Sequence, residues 1–220
     1  HSKIAITVTA WLILVGALLI FIFEYSNPLT IGEMPLFDKI QVSLFQSVTT
    51  RTAGFASVPQ QDLTNASSIL CLLLMFIGAS AGSTGGGIKV SRILILHKTF
   101  RKERKLHLHP QRVVMTAIDD KVIPHSVVRS TNVFMVGYVL IFFWSLLLIS
   151  LNEFDFTTNF TAVVATLNNI GPGLAGVGPT QNFALFSDFS KLVLIFDMLA
   201  GRLELFPLLL LFSRETWKKF

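Results

Sequence analysis

"FDKIQVSLFQSVTTRTAGF" (residues 37–55) has a counterpart 117 residues further on, "FDFTTNFTAVVATLNNIGP" (154–172). That offset sets Phe37 on Phe154, Asp38 on Asp155, Thr49 on Thr166 and Gly54 on Gly171. Each copy follows a long uncharged run and precedes another apolar run, 69–81 in the first case and 192–212 in the second. The repeat unit reads as helix, short amphipathic segment, glycine-bearing loop, helix. Only 15 residues separate the acid from the glycine. That is too short to cross a bilayer as a helix and come back extended from the far side. The segment is expected to dip into the membrane and return to the side it entered from.

The medium follows from composition. Of 220 residues, 52% are hydrophobic, 14% are charged and 20 are phenylalanine, too apolar for an ordinary soluble domain of this length. Residues 4–23 and 131–151 are free of charge and long enough to span a hydrocarbon core of about 30 Å. The first lacks a small-residue cleavage site and is read as a spanning helix, not as a removable leader. Cys71, the single cysteine, lies in an apolar run and is expected to pack. Residues 89–130 carry ten Lys/Arg against three acids, whereas 24–38 carry Glu24, Glu33 and Asp38 and no base. The basic segment is expected on the cytoplasmic side. It is not interleaved with stacking aromatics, so nucleic acid is not the expected partner. His107 and His109 have no third ligand nearby in sequence and read as a solvated loop.

Irregular backbone at membrane depth is tolerated where it lines a water-filled path or is buried in protein. A half-helix that ends in a glycine loop can line such a path. The negative end of its dipole points at the loop, and loop carbonyls can replace the hydration shell of a cation. A plain helical bundle with contact glycines would not place a polar, glycine-bearing loop at the same point of both copies. A second glycine cluster, "STGGGIKV" (83–90), follows the apolar run 69–81. Gly82 and Gly87 have the spacing of a phosphate-binding loop, but Ile88 displaces Lys89 from the required register and no strand precedes it. The cluster is expected to break a membrane helix.

"TRTAGF", "AGSTGGGIKV", "NNIGPG" and "LAGRLELFPLL", in this order along the whole chain, resemble the third and fourth repeats of the Trk/Ktr/HKT potassium transporter superfamily, most like its Ktr-type membrane subunit. The resemblance implies an all-α membrane protein with two of the four repeats that surround one pore. It implies a third-type repeat over 1–96, a basic cytoplasmic linker over 97–128 and a fourth-type repeat over 129–220. Thr50, Arg51, Thr52, Ala53 and Gly54 would form one filter loop, and Asn168, Asn169, Ile170 and Gly171 the other, with potassium held by the Gly54 and Gly171 carbonyls. Arg51 is expected to bond terminal carbonyls and brace its loop from behind. Ala79, Ser80, Ala81, Gly82, Ser83, Thr84, Gly85, Gly86 and Gly87 would form an intramembrane gate, made mobile by the freedom of triglycine. Arg202 would be an electrostatic barrier beside it, with Glu204 or Asp197 as a candidate partner.

The implied function is the potassium-translocating subunit of a regulated uptake system in the cell membrane, passive or sodium-assisted, and no enzyme. The alternative is the ion-binding subunit of a potassium-pumping ATPase. The implied partners are a second copy in a homodimer and a cytosolic ring that binds nucleotide and docks on the linker; the basic linker resting on anionic lipid is the alternative for that surface. The C-terminus is expected to be cytoplasmic.

Overall fold

The computed structural model describes residues 2–80, 83, 85–109, 117–118 and 121–203. Seven helices follow in these residues: α1 (Ser2–Glu24), α2 (Leu36–Thr49), α3 (Asn65–Phe76), α4 (Val90–Leu108), α5 (His125–Ile149), α6 (Phe156–Leu167) and α7 (Asp188–Leu203). A two-residue antiparallel ladder, β1 (Ala117–Ile118) with β2 (Lys121–Val122), lies between α4 and α5.

Two helices are long and apolar enough to cross a membrane, over Ala5–Glu24 and His125–Asn152, where the two uncharged runs fall. The short helices α2 and α6 have 14 and 12 residues. At 1.5 Å per residue each is about 20 Å long or less, short of a bilayer core. Helix, half-helix, loop and helix thus occur twice, as α1, α2, α3 with α4, and as α5, α6, α7.

Both repeats are closed by a clasp between the end of their first helix and the start of their last. In the first, Glu24 is buried; its carboxylate accepts hydrogen bonds from the Thr64 backbone N–H at 2.9 Å and from the hydroxyls of Thr64 and Thr30 at 2.7 Å. Thr64 in turn caps α3. In the second, the Asn152 side chain accepts from the Ser187 N–H and donates to the Ser190 hydroxyl. A buried carboxylate needs such donors, because desolvation without hydrogen bonds is costly.

The main core surrounds α6, whose Ala162, Val163, Val164, Ala165 and Leu167 are fully buried. Phe76 of α3 meets Tyr138 and Phe142 of α5 edge-on, and Phe142 meets Phe160, so an aromatic cluster joins the two repeats. A smaller cluster of Ile20, Ile31, Val58, Leu63 and Cys71 belongs to the first repeat. Cys71 is buried there, in the packing position expected.

Two boundaries differ from the sequence reading. α4 continues through residue 96 to Leu108, and α5 already begins at His125, so regular structure does not stop at either end of 97–128. His107 is consequently a helical residue, exposed in the last turn of α4. Asp38 and Asp155, aligned by the offset, also play different parts. Asp155 is the N-cap of α6 and accepts from the Thr158 N–H, whereas α2 starts three residues earlier in that register, behind Pro35, with Asp38 inside its first turn.

Candidate functional site

The 117-residue offset holds at the other end of the half-helices. α2 and α6 both run into turns with matched left-handed residues, Thr52 (φ 67°) with Asn169 (φ 54°) and Gly54 (φ 77°) with Gly171 (φ 117°). At the glycines this region is open without a Cβ penalty. The two turns lie side by side, since a Cβ built on Gly54 would stand 2.0 Å from the Ile170 carbonyl oxygen. Gly171 has no atom within 4 Å of its Cβ position and borders a cavity of about 480 Å³ lined also by Thr166, Asn169 and Met198.

The turns are braced differently. In the first, the Thr49 hydroxyl donates to the Phe55 carbonyl at 2.6 Å. In the second, two threonines of α6 reach the chain beyond the turn: Thr161 Oγ1 accepts from the Leu174 N–H at 2.9 Å and Thr158 Oγ1 from the Gly176 N–H at 3.0 Å. Asp155, at the exposed entrance to α6, is held below the usual carboxylate range by its hydrogen bonds from Thr158.

Arg51 reaches beyond its own helix. Its guanidinium donates to the carbonyls of Gly78 at 3.0 Å and Ile77 at 3.4 Å, just past the end of α3. The C-terminus of α2 already closes locally, with Gly54 N–H donating to the Thr49 carbonyl, so the orphan carbonyls lie on α3. At the matched position, Asn168 accepts from the Tyr138 hydroxyl at 2.8 Å and donates to its own helix at Val164.

α3 ends at Phe76 and α4 begins at Val90, and the described residues between them are not helical. The loop is pinched at its neck. Ile88 N–H donates to the Phe76 carbonyl, Gly78 N–H to Ile88 and Val90 N–H to Ala79. Of the expected gate residues, Ala81, Gly82 and Thr84 lie outside the described residues, whereas Ala79, Ser80, Ser83, Gly85, Gly86 and Gly87 are placed. The triglycine returns against both turns. Cβ atoms would meet Thr52 Oγ1 at 3.0 Å from Gly85, the Asn168 carbonyl oxygen at 2.3 Å from Gly86 and Asn168 Oδ1 at 3.0 Å from Gly87. Close approach therefore explains the missing side chains, where the sequence suggested only backbone freedom.

Lys89 was counted with the cytoplasmic bases, yet it is 6% exposed. Its ammonium donates to the carbonyls of Ser83 and Gly85. The signal for it in sequence was a lysine opening a helix, where the dipole disfavours a cation. Arg202 is exposed on the last turn of α7. Asp197 does not serve as its partner, because that carboxylate is fully buried and accepts from the Ser145 hydroxyl at 2.6 Å. Glu204, the other candidate, lies outside the described residues. α7 presses on the second turn directly: Asn169 donates to the Met198 carbonyl, and a Cβ on Gly201 would fall 1.9 Å from the Leu167 carbonyl oxygen.

A family model described as TrkH, a cation transport protein, matches residues 3–219. The chain belongs to this family. It is one of cation transport proteins and not of enzymes, and the all-α membrane architecture read from the repeats is that of its members. The Trk system potassium uptake protein TrkH of Salmonella typhimurium is 37% identical over 195 residues, 89% of this chain and 38% of the relative. Its namesake in Halomonas elongata is 32% identical over 210 residues, 95% of this chain and 43% of the relative. The Ktr system potassium uptake protein B of Bacillus subtilis is 43% identical over 96 residues, 44% of this chain and 22% of the relative. A crystal structure of the potassium transporter TrkH from Vibrio parahaemolyticus superposes with a TM-score of 0.83 at 34% identity, over 95% of this chain and 44% of that one. The chain thus spans about two fifths of the length of these Trk relatives. The resemblance to the Trk/Ktr superfamily stands on these matches.

Proposed function

We propose that the chain supplies two pore repeats, over 1–96 and 129–220, of the potassium-translocating membrane subunit of a regulated uptake system in the cell membrane. The observation that carries this reading is the convergence of two half-helix turns, side by side, with the broken segment of α3–α4 against both of them. Each half-helix points its negative end at its turn, which favours a cation there. Residues 50–54 and 168–171 are the filter, with potassium at the Gly54 and Gly171 carbonyls. The loop 79–87 is the gate, and Arg202 a positive barrier near it, since a lone cation in a low-dielectric path opposes cation passage. The relatives, potassium uptake proteins of Trk and Ktr systems, agree with this ion.

The basic segment 97–128 faces the cytoplasm and docks a nucleotide-binding regulatory ring, and the transporter is a homodimer. Sodium assists passage without replacing potassium. The deciding experiment is potassium flux into vesicles that hold the full-length transporter. ATP-independent flux driven by membrane potential is expected; flux that needs a hydrolysing partner would identify a pump subunit instead. Deletion of residues 83–87 should raise flux and weaken nucleotide control, and Arg202→Gln should raise throughput. A deletion with ordinary flux would reduce the loop to a static kink. Recovery of lipid without a soluble partner, with flux indifferent to nucleotide, would overturn the docking assignment.

A further inference from the structure

The second filter turn hangs from two helices of its own repeat. Asn168 accepts from the Tyr138 hydroxyl of α5 at 2.8 Å, and Asn169 donates to the Met198 carbonyl of α7 at 3.1 Å. The register of α7 on α5 therefore bears on the shape of the turn. Tyr138, Phe142 and Ser145 are buried along one face of α5, and Leu194, Asp197 and Ala200 along one face of α7. Leu194 and Ala200 share a core with Tyr138 and Phe142. Apolar packing of this kind is non-directional, so it sets how closely helices approach without fixing how they slide. The contact of Gly201 with the Leu167 carbonyl likewise limits approach only.

Asp197 makes the contact directional. It is fully buried, and its Oδ1 accepts from the Ser145 hydroxyl at 2.6 Å. It also directly precedes Met198, whose carbonyl holds Asn169. Its other oxygen, Oδ2, is buried without a hydrogen-bond partner among the described residues. Such an oxygen has lost water and gained nothing, which is a cost to the fold. An apolar side chain of similar shape would pack there at no greater cost. Stability thus does not account for an acid at this position. What the acid supplies and a leucine could not is a directional tie between α5 and α7.

We propose that Asp197 is a positioning residue for ion selection: its bond to Ser145 fixes the register of α7 on α5 and, through Met198 and Asn169, holds the second turn in the shape that favours potassium over sodium. The proposal rests on the filter reading. Asp197 acts through the backbone of α7 and not as a charge on the ion path, so the acceptor oxygen matters and the charge does not.

The test uses the full-length transporter reconstituted in vesicles. Potassium and sodium uptake are measured separately against concentration, and melting temperature is read in detergent on the same preparations. Asp197→Leu removes the acceptor and the orphan oxygen together. It is expected to lower the potassium-to-sodium uptake ratio at least about fivefold, the equivalent of one ordinary hydrogen bond. The loss should come from a higher half-saturating potassium concentration at an unchanged maximal rate, with a melting temperature equal to or above the parental one. Asp197→Asn, which keeps an oxygen to accept from Ser145, should retain the parental ratio. Ser145→Ala removes the donor and should lower the ratio as Asp197→Leu does, which carries the test where the leucine variant fails to assemble. The two substitutions combined should lower the ratio no further than Asp197→Leu alone, since they break one bond.

Gly54→Ser and Gly171→Ser run in parallel to separate the two readings. A shifted ratio in the glycine variants with a parental ratio in Asp197→Leu and Ser145→Ala overturns the positioning role and leaves the filter. Parental ratios in all four overturn the filter reading and the proposal with it. A ratio in Asp197→Asn as low as in Asp197→Leu makes the charge the active property and overturns the positioning role. A lower melting temperature and maximal rate in Asp197→Leu with the ratio unchanged makes Asp197 a general structural residue, which also overturns the proposal.

Discussion

In the first repeat the last helix, α3, stops 12 residues after its cap at Thr64 and gives way to a pinched loop before α4. The same count from Ser187 in the second repeat falls at Leu199, where α7 is still helical and continues to Leu203. A glycine comes two residues later in each case, Gly78 past the end of α3 and Gly201 within α7. Their surroundings differ: Gly201 lies on the carbonyl of Leu167, at the end of the half-helix, whereas Gly78 lies on the carbonyl of Gly86, inside its own loop. One repeat sets its filter turn against an unbroken helix. The other sets it against a segment held by two side chains, Arg51 and Lys89. The second turn thus rests on a helix continuous to Leu203, and the first on a loop.

The largest expected effect breaks the comparison at the filter. Gly54→Ser should lower the potassium-to-sodium uptake ratio at least about tenfold, because a side chain there collides with the Ile170 backbone and also demands a left-handed φ of 77°. Gly171→Ser, with open space around it, should shift the ratio only a few-fold through backbone strain. Equal losses would show that the two turns do not differ in their surroundings.

Next comes the helix pair. Gly201→Ala should destabilise the protein by about 1–3 kcal/mol, the usual cost of forcing extra volume into a packed site. It would be read as a lower melting temperature in detergent. Gly78→Ala meets the Gly86 carbonyl inside the loop, so on the gate reading its effect should appear as raised flux with a smaller change in melting temperature. The reverse outcome would exchange the roles of helix and loop.

A smaller effect sharpens the contrast between the half-helices. Thr161→Val leaves the buried Leu174 N–H without its acceptor and should cost about 1–3 kcal/mol. Ser43→Ala, in α2, removes only a bond back to Lys39 of the same helix and should cost well under that. Thermal unfolding of the two variants gives the comparison directly.

The smallest effect is set by pH. Asp155 has a depressed folded pKa, so its contribution is complete at neutral pH, above the unfolded value of about 3.9, and is lost as pH falls through the folded value. Asp155→Asn, which keeps a capping oxygen, should change stability at pH 7 by about 0.5 kcal/mol or less and flatten the acid dependence. α2 has no side-chain cap at its start.

The repeat was legible because it rests on local signals: uncharged runs of spanning length, and glycines at positions that take positive φ. The paired φ values at Thr52 and Asn169 bear out the offset at the filter end. It misleads at the entrance, where Asp38 and Asp155 align in sequence yet only Asp155 caps, because Pro35 starts α2 earlier. The partners of Arg51 and Lys89 were not legible. Both bond backbone carbonyls, which carry no residue identity, and Arg51 reaches 26 and 27 residues along the chain to find them. The triglycine was visible as a breaker, but the reason for it lies on Asn168, more than 80 residues away.

The pinched neck at Phe76–Ile88 has a consequence for how this segment can vary. Its bonds, from Ile88 to Phe76 and from Gly78 to Ile88, fix where α3 ends and α4 begins regardless of what lies between. The tip is in that sense an exchangeable module. On the gate reading, its length can change without shifting the register of either helix.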